Sequence, residues 1–139
     1  MLDNDASRLA LERLFAHRPV ADLPQLGRTL GTRSRMSVFR RLKGLGYLSS
    51  YTHTGRYYTL LERARFDSFG LWRWRDVGFS LARTVKATVT QLVDASPSGW
   101  TPRELQERLH ARVYNALTFL VRKGKIQRRP LPAGGSIYV

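Results

Sequence analysis

The chain has 139 residues, 42% of them hydrophobic, and carries 24 Lys and Arg against 10 Asp and Glu, for a formal net charge of +14. It is too apolar for a disordered polycation and can bury one ordinary core or two small ones. Cysteine is absent, which excludes disulfides, thiol catalysis and the usual zinc-finger ligand sets.

The charge is segregated. Residues 23–61 and 108–139 contain no acid, and each stretch holds seven basic residues. The halves 1–65 and 66–139 each carry +7, so neither is a mere basic tail. Two basic faces imply a partner with rows of negative charge. Duplex nucleic acid is the commonest, because neutralising its phosphates releases condensed counterions. Only four of the basic residues are lysine. The bias to arginine suits planar, bidentate contacts to phosphate and guanine. The N-terminal MLDNDASRL lacks a basic region leading into an apolar run, and no apolar run reaches membrane-spanning length. A cytoplasmic, nucleoid-associated protein without membrane contact is expected.

In chain order, apolar residues at three- and four-residue spacing predict a first helix over 6–17. Asp22 with Gln25 forms a capping box that opens a short second helix. A third helix is predicted over 34–44, closed by Gly46 as a left-handed cap. Strands over 47–51 and 56–60, joined by the polar turn 52–55, make a hairpin. The segment 66–80, FDSFGLWRWRDVGFS, is too aromatic for a flexible linker. In it Trp72 and Trp74 alternate with Arg73 and Arg75 at the period of a strand. Trp72, Trp74 and Phe79 are expected to join two undersized domains or to form a dimer interface, with stacking on single-stranded nucleic acid as the sharper alternative. The first pattern then returns. Helices are predicted over 84–95, from the capping box of Thr101 with Glu104, and over 112–123, closed by Gly124. Strands follow over 125–129 and 136–139, around the turn 130–135.

The return is a repeat at an offset of 78 residues. Leu11, Leu14, Phe15 and Pro19 match Val89, Leu92, Val93 and Pro97. Met36, Val38, Phe39, Leu42, Gly46 and Leu48 match Tyr114, Ala116, Leu117, Leu120, Gly124 and Ile126. Between these blocks the offset is 79, which pairs Asp22, Leu26 and Leu30 with Thr101, Leu105 and Leu109. Three helices with a terminal hairpin make a winged helix. The expected fold is mainly α with small β wings, a tandem winged helix-turn-helix with units at 1–62 and 81–139 and an ordered aromatic connector at 63–80.

The segments RMSVFRRLKGLGYLSSYTHTGRYYTL and RVYNALTFLVRKGKIQRRPLPAGGSIYV resemble the third helix and wing of bacterial winged helix-turn-helix transcription regulators of the MarR-like or ArsR-like kind. The resemblance implies a duplex-DNA-binding regulator. In a helix-turn-helix the second of the two helices enters the major groove. With Val38, Leu42 and Leu45 inward, Ser34, Arg35, Ser37, Arg40 and Arg41 point outward as candidate base and phosphate contacts, with Arg33 and Lys43 beside them. Arg40 or Arg41 is expected to read guanine. His53 and Arg56 of the first wing are candidate backbone contacts. The tyrosines of that hairpin are read as cross-strand packing before base stacking. In the second copy Arg112, Asn115, Thr118 and Arg122 are candidates on the third helix, and Arg128 and Arg129 on the wing. That helix is apolar on more than one face, so a second reading surface and an interface both remain open.

An enzyme is not expected. The acids are scattered, the histidines at 17, 53 and 110 lack ligand-like spacing, and Gly134-Gly135 belongs to a turn. Neither a metal, a cofactor nor a small-molecule ligand is anticipated, and homodimerisation stays open. The competing reading is a winged-helix module that binds RNA or another protein, as in a phage, transposon or replication accessory factor.

Overall fold

A computed structural model describes residues 2–139 as a mixed α/β chain with six α-helices and small antiparallel sheets. Helix α1 (Asn4–His17) starts where Asp3 Oδ1 accepts from the Ala6 N–H at 2.8 Å, and it buries Ser7, Leu11 and Phe15 at four-residue spacing. Strand β1 (Ala21–Asp22) runs into α2 (Leu23–Leu30), whose first turn is closed by the expected capping box. The Gln25 N–H donates to Asp22 Oδ1 and the Asp22 N–H to Gln25 Oε1, both at 2.9 Å. Helix α3 (Arg35–Leu45) follows, with Ser34 Oγ accepting from the Ser37 N–H as its cap. Strands β2 (Tyr47–Ser49) and β3 (Tyr57–Leu60) pair antiparallel, and β1 adds to the far edge of β3, giving the order β1-β3-β2.

The second half repeats this plan. Helix α4 (Val85–Asp94) is capped by Thr84, and α5 (Pro102–Leu109) by the Thr101–Glu104 box. Helix α6 (Tyr114–Arg122) leads to the antiparallel pair β6 (Arg128–Pro130) and β7 (Ser136–Tyr138). A single bridge between Trp100 and Tyr138 stands where Ala21 pairs with Tyr58 in the first half. Most matched apolar positions are buried in both halves. Leu11 and Val89, Leu26 and Leu105, and Leu30 and Leu109 are all at 0% exposure.

The matched pair Met36 and Tyr114 is exposed in both halves, at 84% and 59%, because both sit in the first turn of their helix on the side away from the core. Three expectations need correction. Gly46 has φ 81° and ψ 117°, outside the left-handed helical well, because its carbonyl turns to accept from the Leu61 N–H. The strands of both hairpins are shorter than expected, and residues His53–Gly55 form a 3-10 turn. Arg112 precedes α6 instead of opening it: the buried Val113 occupies the cap position, without a side-chain hydrogen bond.

The aromatic connector is a hairpin of its own, β4 (Leu71–Trp74) with β5 (Val77–Ser80). Its Val77 and Phe79 pack with Val20 and Leu48 of the first half, whereas Leu71 joins the core built from α4, α5 and α6. Tyr51 ties the three parts together. Its N–H donates to the Gly78 carbonyl at 2.9 Å and its hydroxyl to the Leu109 carbonyl at 2.7 Å, with the ring lying across Gly78. A Cβ at residue 78 would stand 2.5 Å from that ring, so only glycine fits. Among the described residues, no helix is long and apolar enough to cross a membrane.

Candidate nucleic-acid interface

Helix α3 buries Val38 and Leu42, which leaves Met36, Arg40 and Lys43 exposed along one face with Ser37 half-exposed beside them. Arg33 and Ser34 are exposed on the turn that leads into it. Arg35 lies on the flank, its guanidinium 5.3 Å from the Phe39 ring centroid, in a groove shared with Asp22 of the second helix's cap and Arg56 of the first hairpin. Arg41 does not point outward as expected. It is half-buried against the start of α1, where its Nη2 donates to the Leu2 carbonyl at 3.4 Å. The reason is helical geometry: residue 41 lies three positions from Val38 and follows it toward α1.

The turn of the first hairpin exposes Thr54 and Arg56, while the imidazole of His53 is half-buried. That ring hydrogen-bonds Thr52 Oγ1 at 2.8 Å and Asp76 Oδ2 at 3.3 Å, and lies edge-on to Tyr57. His53 therefore braces the hairpin against the connector while 27% of its side chain stays exposed. Tyr47 and Tyr58 pack across the strands as expected, whereas Tyr51 reaches the connector and the second half and Tyr57 meets His53. Phe39, Tyr47 and Tyr58 form a cluster with centroids 5.4–6.2 Å apart. Burial raises the Tyr58 phenol above its ordinary value, opposed by Arg35.

On α6 the exposed side chains are Tyr114, Asn115, Thr118 and Arg122, with Arg112 on the turn before it. Its flanking apolar residue Phe119 meets two lysines, Lys86 Nζ at 3.8 Å and Lys123 Nζ at 5.7 Å from the ring centroid. Lys125 lines the same groove, which gathers three of the four lysines of the chain. Sequence reasoning missed this cluster, although pairing α4 with α6 by analogy to α1 with α3 would have brought it to light. On the second hairpin Arg128 Nε donates to Ser136 Oγ at 2.8 Å and Arg129 Nη2 to Gln127 Oε1 at 3.5 Å, and both side chains remain exposed.

The tryptophans are used within the chain. Trp72 stacks on Phe79 at 5.5 Å, and Trp74 lies between Arg75 and Arg18, whose guanidinium carbons are 4.3 and 5.7 Å from its ring centroid. Acids neutralise little of the positive charge. Among the described residues, Arg103 with Glu107 is the one ion pair of an arginine or lysine with a carboxylate. Glu104 is also spoken for, because the Thr101 backbone N–H and then its hydroxyl hold the carboxyl below its usual range. No cluster of His, Asp or Glu suited to a metal occurs among the described residues. No family model, curated protein or solved structure matches the chain.

Proposed function

We propose that the chain is a duplex-DNA-binding transcriptional regulator built as two winged helix-turn-helix units, residues 1–62 and 81–139, bridged by the hairpin of the 63–80 connector. In this reading α2 with α3, and α5 with α6, are the helix-turn-helix pairs. The helices α3 and α6 enter the major groove, and Arg56, Arg128 and Arg129 on the two hairpins contact phosphates. The observation that carries the proposal is the pairing of exposed, polar third helices with a basic surface that acids leave open. An arginine-rich face serving only solubility would carry interspersed carboxylates, whereas α3 and α6 have none in their first turns. The same reading places the protein on the nucleoid.

Titrating the protein against duplex DNA, single-stranded DNA and structured RNA across a salt series tests it. Duplex DNA should bind best, with log affinity falling against log salt at about −0.9 per neutralised phosphate. Reversing Arg128 and Arg129 to glutamate should weaken every duplex alike. Salt-insensitive binding, or a preference for RNA, overturns the proposal.

A further inference from the structure

We propose that one chain reads an asymmetric duplex site, with a guanine-bearing block under α3 and an adenine-bearing block under α6; this rests on the DNA-binding reading above. The argument starts from the repeat register. An offset of 78 residues sets Met36 against Tyr114, Ser37 against Asn115 and Arg40 against Thr118. These positions fall on corresponding faces, since the residues behind them, Val38 and Leu42 against Ala116 and Leu120, are buried in both helices. The two units therefore present the same geometry with different chemistry at every exposed, matched position.

That chemistry divides by hydrogen-bonding capacity. On α3 the exposed stripe offers Arg40 and Lys43, which donate and cannot accept. Arg41 is held against α1 and Arg35, though exposed, leans over Phe39 on the flank, so Arg40 is the guanidinium that shares the outer face of the helix with Met36 and Lys43. A donor-only fork matches the paired acceptors O6 and N7 of guanine. In the first turn of α6 stands Asn115, its side chain exposed. Its amide both donates and accepts, which matches N7 and N6 of adenine and no other major-groove edge as well. Thr118 stands one turn beyond, on the same side, and offers a methyl and a hydroxyl, suited to the thymine methyl. Met36 and Tyr114 add an apolar contact at the same place in each unit.

Symmetry completes the inference. Palindromic sites arise where identical recognition helices are related by a two-fold axis. Here the two helices belong to one chain and differ, so a single chain has no reason to prefer a palindrome.

Selection of sites from a random duplex pool by the full chain, repeated with Arg40→Ala and Asn115→Ala, is the test. The wild type should enrich two unlike blocks at fixed spacing, bound one chain per site. Arg40→Ala should erase the guanine preference in one block, and Asn115→Ala the adenine preference in the other. Each should cost about tenfold or more in affinity for the selected site. Both side chains are exposed, so thermal melting should be unchanged and separates a reading defect from misfolding. A palindrome, a single block, or two variants that alter the same block overturns the inference. Duplex binding with no enriched sequence overturns it too while leaving DNA binding intact, and no duplex binding at all rejects the function itself.

Discussion

The two halves of the chain share a plan and solve its local problems differently. In the first half Ser34 caps α3 with a hydrogen bond; in the second the equivalent turn is anchored by burying Val113. Between the first and third helices the first half packs the stem of Arg41, and the second packs Phe119 at the matched position, under two lysines. The first hairpin turns tightly through His53–Gly55, whereas the second has an exposed loop at 132–135. What stays the same is most of the set of buried apolar positions. A backbone repeat survives so long as its core survives, and caps, turns and surface chemistry are then free to diverge. This is how one plan can carry two surfaces of different chemistry.

The comparison is broken most severely through the core. Leu26→Ala and Leu105→Ala remove matched, fully buried leucines, and each should cost about 2–5 kcal/mol. Because the connector hairpin and Tyr51 join both cores, each variant should lower one common unfolding transition. Two separate transitions, each moved by only one variant in calorimetry, would show that the halves fold independently.

A smaller effect is expected where the halves meet. Gly78→Ala places a methyl against the Tyr51 ring, which cannot swing away without losing its hydrogen bond to Leu109. Overpacking of this kind costs about 1–3 kcal/mol. Pairing Gly78→Ala with Tyr51→Ala should recover part of that loss in a denaturant titration. Strict additivity would mean that the ring is not the obstacle.

How much was legible in the sequence follows the same division. Helix positions, both capping boxes and most core pairs could be read, because periodicity and capping are local and act on a few neighbouring residues. The direction of individual surface side chains could not. Arg40 and Arg41 are adjacent and chemically identical, yet one is exposed and the other is drawn to Leu2, a contact across 39 residues. His53 lies in the turn as its local sequence implies, but its ring meets Asp76 on the connector, a contact across 23 residues. The connector's strand period was visible. Its pairing into a hairpin was not, since Val77-Gly78-Phe79-Ser80 is buried throughout and shows no alternation.

The caps sharpen the comparison further. Ser34→Ala should destabilise by about 1 kcal/mol, by leaving the Ser37 N–H without its partner. Val113→Ser, which supplies a capping hydroxyl at the equivalent place in the second half, should not stabilise, because it gives up burial of the valine side chain. If Val113→Ser raised the melting temperature, the second half would be limited by its cap and not by its core.

The smallest effect concerns the joint alone and appears at high pH. Burial raises the Tyr51 phenol above its ordinary value, with Arg73 opposing and Asp67 assisting. Above about pH 10 the unfolded chain therefore releases the proton while the folded chain retains it, so stability is full below that pH and is lost as pH rises toward the folded value. Tyr51→Phe removes this dependence together with the hydrogen bond to Leu109. The variant should be less stable at neutral pH and decline less steeply in alkali. Tyr58, also raised by burial, keeps part of the slope in both proteins. Every other ionisable group is common to the two proteins, so the difference between the two curves isolates Tyr51. Parallel curves in chemical denaturation from pH 8 to 11 would mean that the phenol is already hydrated in the folded state, and that the contact between the halves is looser than the 2.7 Å hydrogen bond requires.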